Sequence, residues 1–230
     1  EKSGIIKTNT PIICDKNNPG FEVFKTIAHK NNAQIYNPNS PSIIFKNNIN
    51  LLNYNGKEFE LNLLGLNQAQ NAGLALCAIE VLENLGIIFD YNKIKSALKT
   101  VYWPCRFEYK EKYNLIIDGC HNPDGARVLR KNLDYYFPNI KKFFIYTSLK
   151  NKDFKTIQKN LFKKEDKVFH FDMEDEKFTT LKDIENAARS INVIELEEII
   201  KNRERKELLI ICGSLYAVGY ISGKIKICNF

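Results

Sequence analysis

The sequence lacks several features that define common protein classes. No apolar run approaches the roughly 20 residues that a membrane-spanning helix needs, and no two cysteines form a Cys-x-x-Cys pair. The Gly-x-Gly-x-x-Gly fingerprint of nicotinamide-dependent oxidoreductases is absent. A phosphate loop ending in Gly-Lys-Ser is missing too: the nearest string, 219–224, has the wrong spacing, and Ile225 stands where a metal-binding hydroxyl is required.

The residues that are present indicate a folded protein of a reducing compartment. Hydrophobic residues make up 44% of the chain and aromatic residues 12%, which is ample for a core. The six cysteines lie mostly in apolar runs, as buried thiols of cytoplasmic proteins do. The net charge is +7, but Glu and Asp are interspersed in the most basic segments. We therefore expect neither a nucleic-acid partner nor a membrane. The most basic segments of the chain are 141–142, 163–167 and 201–206.

Residues 1–62 show short β-like runs, and two helical patterns follow. The dipeptide Asn55-Gly56 predicts a tight hairpin turn, because both residues tolerate positive φ. Helices are predicted over 68–85, which Gly86 ends, and over 91–99. The β-like runs are 12–14, 34–36, 43–45, 49–54 and 57–61.

From residue 103 onward the sequence predicts alternating strands and helices. Such alternation favours an α/β fold with a mostly parallel sheet and helices on both faces. The change of pattern near residue 100 predicts two domains, 1–100 and 101–230. The predicted strands are 113–117, 143–147, 167–171, 192–195 and 208–212, and the predicted helices are 124–136, 153–162, 180–190 and 214–222.

The most informative stretch surrounds the first strand of this alternating region. Residues 103–108 read Trp-Pro-Cys-Arg-Phe-Glu, and residues 118–123 read Asp-Gly-Cys-His-Asn-Pro. A polar loop between the end of a strand and a helix is where open α/β sheets collect ligands. Asp118 there suits either a ribose hydroxyl or the cap of the next helix. The planar fork of Arg106 suits phosphates, or else a surface pair with Glu108 or Glu111.

His121 follows Cys120, which raises the question of a nucleophilic Cys–His pair. Side chains adjacent in sequence seldom face each other, and catalytic pairs of this kind are usually distant in the chain, so this reading is weak. A lone histidine is usually a packing or capping residue. His121 nevertheless stays a candidate site residue because of the loop in which it lies.

The two central motifs resemble the Trp-Pro-Gly-Arg-Phe-Glu and Asp-Gly-Ala-His-Asn-Pro motifs of folylpolyglutamate synthases. Many bacterial members also act as dihydrofolate synthases, and the family is part of the Mur ligase superfamily. Further stretches in the same order are similar to other family motifs: Glu-Lys-Ser-Gly-Ile-Ile-Lys at 1–7, Gly-Leu-Asn-Gln-Ala-Gln-Asn-Ala at 65–72, Lys-Asn-Lys-Asp at 150–153 and Gly-Ser-Leu-Tyr-Ala-Val-Gly at 213–219.

The resemblance implies a fold and a function. Residues 1–100 would be the remnant of a Mur-ligase central ATPase domain, and 101–230 its Rossmann-like carboxyl-terminal domain. Family members carry their phosphate loop ahead of this region, so we expect a fragment whose partner is the missing amino-terminal half. The implied enzyme is a cytoplasmic, monomeric ligase that uses ATP and Mg²⁺. It adds L-glutamate to folate, and in some members to dihydropteroate, through an acyl phosphate.

The resemblance also implies roles for particular residues. Asn71, Arg106 and Asp118 would contact ATP, and His121 would act on the acidic substrate or a phosphate. Lys2 would be carbamylated, so that its amine becomes a carboxylate that binds a metal and supports catalysis. Two positions depart from the family: Asn67 replaces a histidine, and Cys120 replaces an alanine, which suggests that its thiol is incidental.

Two alternative functions stay open at this stage. Another Mur-type ligase, adding amino acids to a cell-wall precursor, would share the fold and chemistry, although the motif at 103–108 favours the folate branch. A non-catalytic nucleotide- or ligand-binding remnant is the other alternative, because the phosphate loop is absent.

Overall fold

A computed structural model describes residues 2–225 and divides the chain into two units, Glu1–Tyr102 and Trp103–Phe230. Each unit has its own buried core. No helix within residues 2–225 has the length and apolar character needed to cross a membrane.

The first unit combines a small parallel strand pair with a three-stranded antiparallel sheet. The hairpin predicted at Asn55-Gly56 is confirmed, since both residues have positive φ, 52° and 78°. The unit begins with a 3-10 turn, Lys2–Ile5. Its strands are β1 (Ile12–Ile13), β2 (Ile35–Tyr36), β3 (Ser42–Lys46), β4 (Ile49–Tyr54) and β5 (Lys57–Leu61), and its helices are α1 (Phe21–Lys30), α2 (Leu66–Asn84) and α3 (Tyr91–Thr100).

Period-two alternation on β4 and β5 creates the core of the first unit. Leu52 and Tyr54 on β4 and Phe59 and Leu61 on β5 are buried in one cluster with apolar residues of α2. Helix α1 was not predicted. Its start at Gly20 has no side-chain cap, which removes the usual sequence signal for the beginning of a helix.

The second unit contains a six-stranded sheet in the order β10-β9-β8-β11-β7-β6. Only the pairing of β6 with β7 is antiparallel, so the predicted mostly parallel α/β fold is confirmed. The strands are β6 (Glu108–Lys110), β7 (Leu115–Asp118), β8 (Lys142–Thr147), β9 (Lys167–Phe171), β10 (Ala187–Ile191) and β11 (Leu208–Gly213), and the helices are α4 (Pro123–Tyr136), α5 (Phe154–Leu161), α6 (Val193–Asn202) and α7 (Leu215–Lys224).

Helices cover both faces of this sheet. Alternate residues of the central strands, among them Leu115 and Ile211, share a cluster with Leu196 of α6 and Val218 of α7. On the other face, Phe144 and Tyr146 contact the ring of Phe162 at the end of α5, with centroids 5.1 and 5.3 Å apart. Helix α4 packs beside α5. Continuous apolar strands such as β11 are expected for a sheet buried on both faces.

Two elements were predicted wrongly between residues 180 and 202. The predicted helix 180–190 is instead a 3-10 turn, Leu181–Asp183, followed by strand β10. The predicted strand 192–195 is the start of helix α6. Asn192 caps this helix by accepting a hydrogen bond from the Glu195 backbone N–H, and the Glu195 carboxylate accepts one from the Asn192 N–H. This capping box overrides the β-branched residues that suggested a strand.

The chain order places a topological switch at the centre of the sheet. Strand β11 enters last, between β7 and β8. Helix α4, which follows β7, packs beside α5, whereas α7, which follows β11, packs with α6 residues on the opposite face. Where the helices after neighbouring strands diverge in this way, a crevice opens at the carboxyl ends of the strands.

Candidate active site

The turn of residues 104–107 is attached to the end of β7. The Gly119 N–H donates to the Cys105 carbonyl oxygen at 2.9 Å, and the Phe107 N–H donates to Asp118 Oδ2 at 2.8 Å. The Phe107 ring is buried against Tyr136, with ring centroids 5.5 Å apart. These contacts place Arg106, which is exposed, directly beside the end of the strand.

Asp118 is the central carboxylate of the site. It accepts hydrogen bonds from the backbone N–H groups of Phe107 and Cys120, and the charges of Arg106 and His121 act on it. The carboxyl group is desolvated, although the residue keeps a little exposed surface, and burial raises the pKa of Asp118 to about 6 against those opposing effects. The structure thus brings Arg106, Asp118 and His121 together at one strand end.

Asp118 does not cap helix α4, which corrects one of the two roles left open for it. Asn122 is the cap, because its side-chain oxygen accepts a hydrogen bond from the Gly125 N–H at 2.7 Å. Pro123 occupies the first helical position, where a missing N–H costs nothing. Because Asn122 supplies the cap, the Asp118 carboxylate instead holds the turn through the N–H groups of Phe107 and Cys120.

His121 has one ring nitrogen engaged by the loop itself. Its Nδ1 lies 3.1 Å from the Gly119 carbonyl oxygen, which can only accept a hydrogen bond. Nδ1 therefore carries the proton, and in the neutral imidazole Nε2 is left as an acceptor.

Two glycines at this edge lie in close contact with other residues, and at Gly213 the backbone requires glycine. Gly213 has φ of 120°, and a Cβ there would lie 1.9 Å from the Thr147 carbonyl oxygen. A Cβ on Gly119 would lie 2.0 Å from Leu215 Cδ2. These close approaches draw the end of β7, the end of β8 and the start of α7 together. The predicted strand-to-helix turn at Gly213-Ser214 is confirmed.

Ser214 adds a buried polar atom at this point. Its hydroxyl oxygen is inaccessible to solvent and has no hydrogen-bond partner within the described part of the chain. Ser214 precedes α7 without capping it by its side chain.

A cavity of about 510 Å³ opens next to this edge, beyond β8. Lys150 and Lys177 line it beside Glu176, with Lys177 ion-paired to Asp175 at 2.7 Å, and Tyr216 of α7 forms one wall. The motifs at 150–153 and 213–219 contribute Lys150 and Tyr216, but the sequence assigned neither a role. The lining residues are Leu149, Lys150, Asn151, Glu176, Lys177 and Tyr216. A cavity of the same volume in the first unit contains none of the predicted site residues.

Cys120 lacks the environment of a nucleophilic cysteine. The Cys120 and Cys212 thiols are buried and hydrogen-bond each other, and burial raises the pKa of Cys212 well above its usual value. Reactive cysteines need an accessible thiol group, and Cys120 is only 5% exposed.

The other two predicted site residues lie in the first unit. Lys2 is exposed within the opening 3-10 turn. Asn71 is exposed on α2, and its side-chain amide donates to Gln68 Oε1 at 2.9 Å. Among residues 2–225, no group of three or more His, Cys, Asp or Glu side chains is arranged to hold a metal ion.

The pKa of Asp118 gives a testable pH dependence of stability. Its folded-state pKa of about 6 lies above the ordinary 3.8, so the folded state binds this proton more tightly than the unfolded state does. Wild type should therefore gain stability relative to Asp118→Asn as the pH falls, by about 1.4 kcal/mol between about pH 7.5 and 5. Urea unfolding of both proteins across this range measures the difference.

The control for this measurement removes a different negative charge. Asp124→Asn deletes an exposed carboxylate in the first turn of α4, and it should alter the pH dependence less than Asp118→Asn does. Stability curves for wild type and Asp118→Asn that run parallel from neutral to acidic pH would contradict the raised pKa.

The fold and its topological switch point place the second unit among the open α/β-sheet proteins, a class in which ligands bind at the carboxyl ends of the strands. No protein-family model matches the chain. The chain is 26% identical, over 246 residues, to the dihydrofolate synthase/folylpolyglutamate synthase of Bacillus subtilis. That alignment covers 98% of this chain but 57% of the relative's length.

Solved structures give the same result. The folylpolyglutamate synthase of Thermotoga maritima superposes with a TM-score of 0.77 at 26% identity, covering 97% of this chain and 56% of that one. The folylpolyglutamate synthase of Mycobacterium tuberculosis, complexed with ADP and AMPPCP, shares the fold with a TM-score of 0.79 at 20% identity. The superposition covers 98% of this chain and 58% of that one. The resemblance to folylpolyglutamate and dihydrofolate synthases is therefore confirmed over nearly the whole chain.

Proposed function

We propose that this chain is the carboxyl-terminal part of an ATP-dependent ligase that adds L-glutamate to folate, or that forms dihydrofolate from dihydropteroate. The observation that carries the proposal is the convergence of Arg106, Asp118 and His121 at the switch-point end of β7. In this proposal, residues 1–100 complete a central ATPase domain and 101–230 form the carboxyl-terminal domain. The partner is an amino-terminal segment that carries the phosphate loop, and we call the two together the assembled enzyme. We further propose that it is a cytoplasmic monomer.

The nucleotide contacts follow from the donors and acceptors at β7. Arg106 donates two parallel hydrogen bonds to phosphate oxygens through its planar fork. The Asp118 carboxylate has lone pairs beyond those used by the Phe107 and Cys120 N–H groups, and these accept ribose hydroxyls. As a separate proposal for the first unit, Asn71 contacts a purine edge through its amide oxygen and the N–H that does not donate to Gln68.

His121 serves the second substrate. With Nδ1–H donated to Gly119, Nε2 accepts a hydrogen bond from the amine of the incoming L-glutamate. It can take up the amine's proton as the new amide bond forms. The lysine-lined cavity beyond β8 suits the acidic groups of that substrate.

The reaction couples two displacements. The γ-phosphoryl group of ATP passes to the substrate carboxylate, and the glutamate α-amine then attacks the acyl phosphate and releases inorganic phosphate. Mg²⁺, when bound, neutralises charge on the phosphates. In this proposal the ion would be shared by nucleotide phosphates, water and the carbamate of Lys2.

The absence of the phosphate loop favours a second candidate function, that of a non-catalytic nucleotide-binding protein. A ligase adding an amino acid to a different acidic acceptor is the third. All three predict nucleotide binding at β7, and they differ in turnover and in the acceptor used.

The test measures ATP hydrolysis coupled to ligation. The chain is assayed alone, and again with a separately expressed amino-terminal segment bearing a Gly-Lys-Ser loop. We expect phosphate release that depends on both folate and glutamate only when the segments are combined. ATP binding without turnover in any combination would favour the non-catalytic alternative, and robust ligation by the 230-residue chain alone would contradict the proposal.

A further inference from the structure

We propose that Glu108 is a positioning residue for Arg106, and that it acts by fixing the conformation of the turn at residues 104–107. The inference rests on the proposed function, in which Arg106 contacts the phosphates of ATP. Glu108 itself touches no substrate.

The turn has an unusual backbone. Cys105 and Phe107 have φ of 59° and 47°, in the left-handed region that residues with side chains rarely adopt. Arg106 lies between them. Without support, a turn with two such residues would relax toward ordinary backbone angles, and the guanidinium would move with it.

Each of these two residues is held by a carboxylate. The Cys105 N–H donates to Glu108 Oε2 at 2.9 Å, and the Phe107 N–H donates to Asp118 Oδ2 at 2.8 Å. Hydrogen bonds to charged acceptors are stronger than those between neutral groups. The backbone on both sides of Arg106 is therefore fixed by carboxylates, while its own side chain stays exposed.

The two carboxylates come from neighbouring strands. Glu108 begins β6 and stands opposite Ile117 of β7, directly before Asp118. The Glu108 side chain is only 8% exposed, and its second oxygen forms an ion pair with Lys110 at 2.7 Å. A buried carboxylate on a sheet strand has few alternative positions, so it provides a rigid support for the turn.

This arrangement separates two tasks. In the proposed function Asp118 both supports the turn and contacts the nucleotide, whereas Glu108 supports the turn without contacting it. Fixing the guanidinium before ATP arrives reduces the conformational freedom lost on binding, which strengthens the contact without adding a new one. Glu108 should therefore influence ATP only through Arg106.

The experiment measures the affinity of the assembled enzyme for magnesium-ATP by calorimetry, in the absence of folate and glutamate. Glu108→Ala should weaken binding about fivefold to tenfold, because the hydrogen bond from the Cys105 N–H is lost. Glu108→Gln should stay within about twofold of wild type, since its amide oxygen can still accept that bond. Lys110→Met, which breaks the ion pair with Glu108 and keeps the Glu108 acceptor of the Cys105 N–H, is the matched control and should bind like wild type.

A double variant separates positioning from a general structural role. Arg106→Ala/Glu108→Ala should bind ATP no more weakly than Arg106→Ala alone, because Glu108 acts through the guanidinium. Additive losses, or an unaffected Glu108→Ala protein, would overturn the inference and leave the proposed function standing. An Arg106→Ala protein that binds normally would overturn both. If Glu108→Ala melts below the assay temperature, Glu108→Asp replaces it, since its shorter side chain cannot reach the Cys105 N–H.

Discussion

Arg106→Ala is expected to lower kcat/KM for ATP about 10- to 150-fold in the assembled enzyme, the equivalent of about 1.5–3 kcal/mol for a charge-assisted contact. Both kcat and KM should change. In the proposed function the contact with the phosphates is completed as the assembled enzyme closes on ATP, and it is then stronger in the transition state than in the open complex.

The lysine variant makes this prediction specific to the guanidinium. Arg106→Lys should be nearly as damaging as Arg106→Ala, since lysine keeps the charge but loses the planar fork. The matched control is Arg189→Ala on β10, at the far edge of the sheet, where the arginine forms an exposed ion pair with Glu195. Steady-state kinetics with thermal melting as a folding control measures all three. If the Arg106 variants melt normally and stay within about twofold of wild type, below ~0.5 kcal/mol, the site assignment at β7 fails.

Lys2→Ala is expected to reduce ligase activity on the order of 100-fold or more in the assembled enzyme, through the loss of metal organisation. Carbamylation needs an amine sheltered from water, and the exposed 3-10 turn of this chain supplies no such shelter for Lys2. Carbon-13 bicarbonate labelling should therefore give no carbamate signal for the chain alone and a signal for the assembled enzyme, lost in the Lys2 variant.

Lys7→Ala provides the matched control for Lys2. It removes another exposed lysine from the same segment, and the change in the activation free energy of ligation should stay within about 0.5 kcal/mol. An active Lys2→Ala enzyme, or a labelling spectrum that is unchanged between wild type and variant, would count against a role for Lys2 in catalysis.

Local sequence signals predicted most of the second unit. The apolar run ending at Asp118 formed the expected strand, and the Asn-Pro that follows formed the expected start of a helix. Prediction failed between residues 180 and 202, where segment 187–191 pairs with β9. That pairing depends on a distant strand, and a helical pattern in a short segment cannot reveal it.

The sequence alone determined the α/β class, the position of the strand ending at Asp118 and the resemblance to folylpolyglutamate synthases. Those properties follow from local periodicity, turn residues and short motifs, which need no knowledge of distant contacts. The tertiary structure decided that Asp118 is desolvated and that its carboxylate holds the Phe107 N–H of the turn carrying Arg106. Each of these depends on the pairing of β6 and β11 with β7. Burial and hydrogen-bond partners are set only when segments far apart in the chain come together.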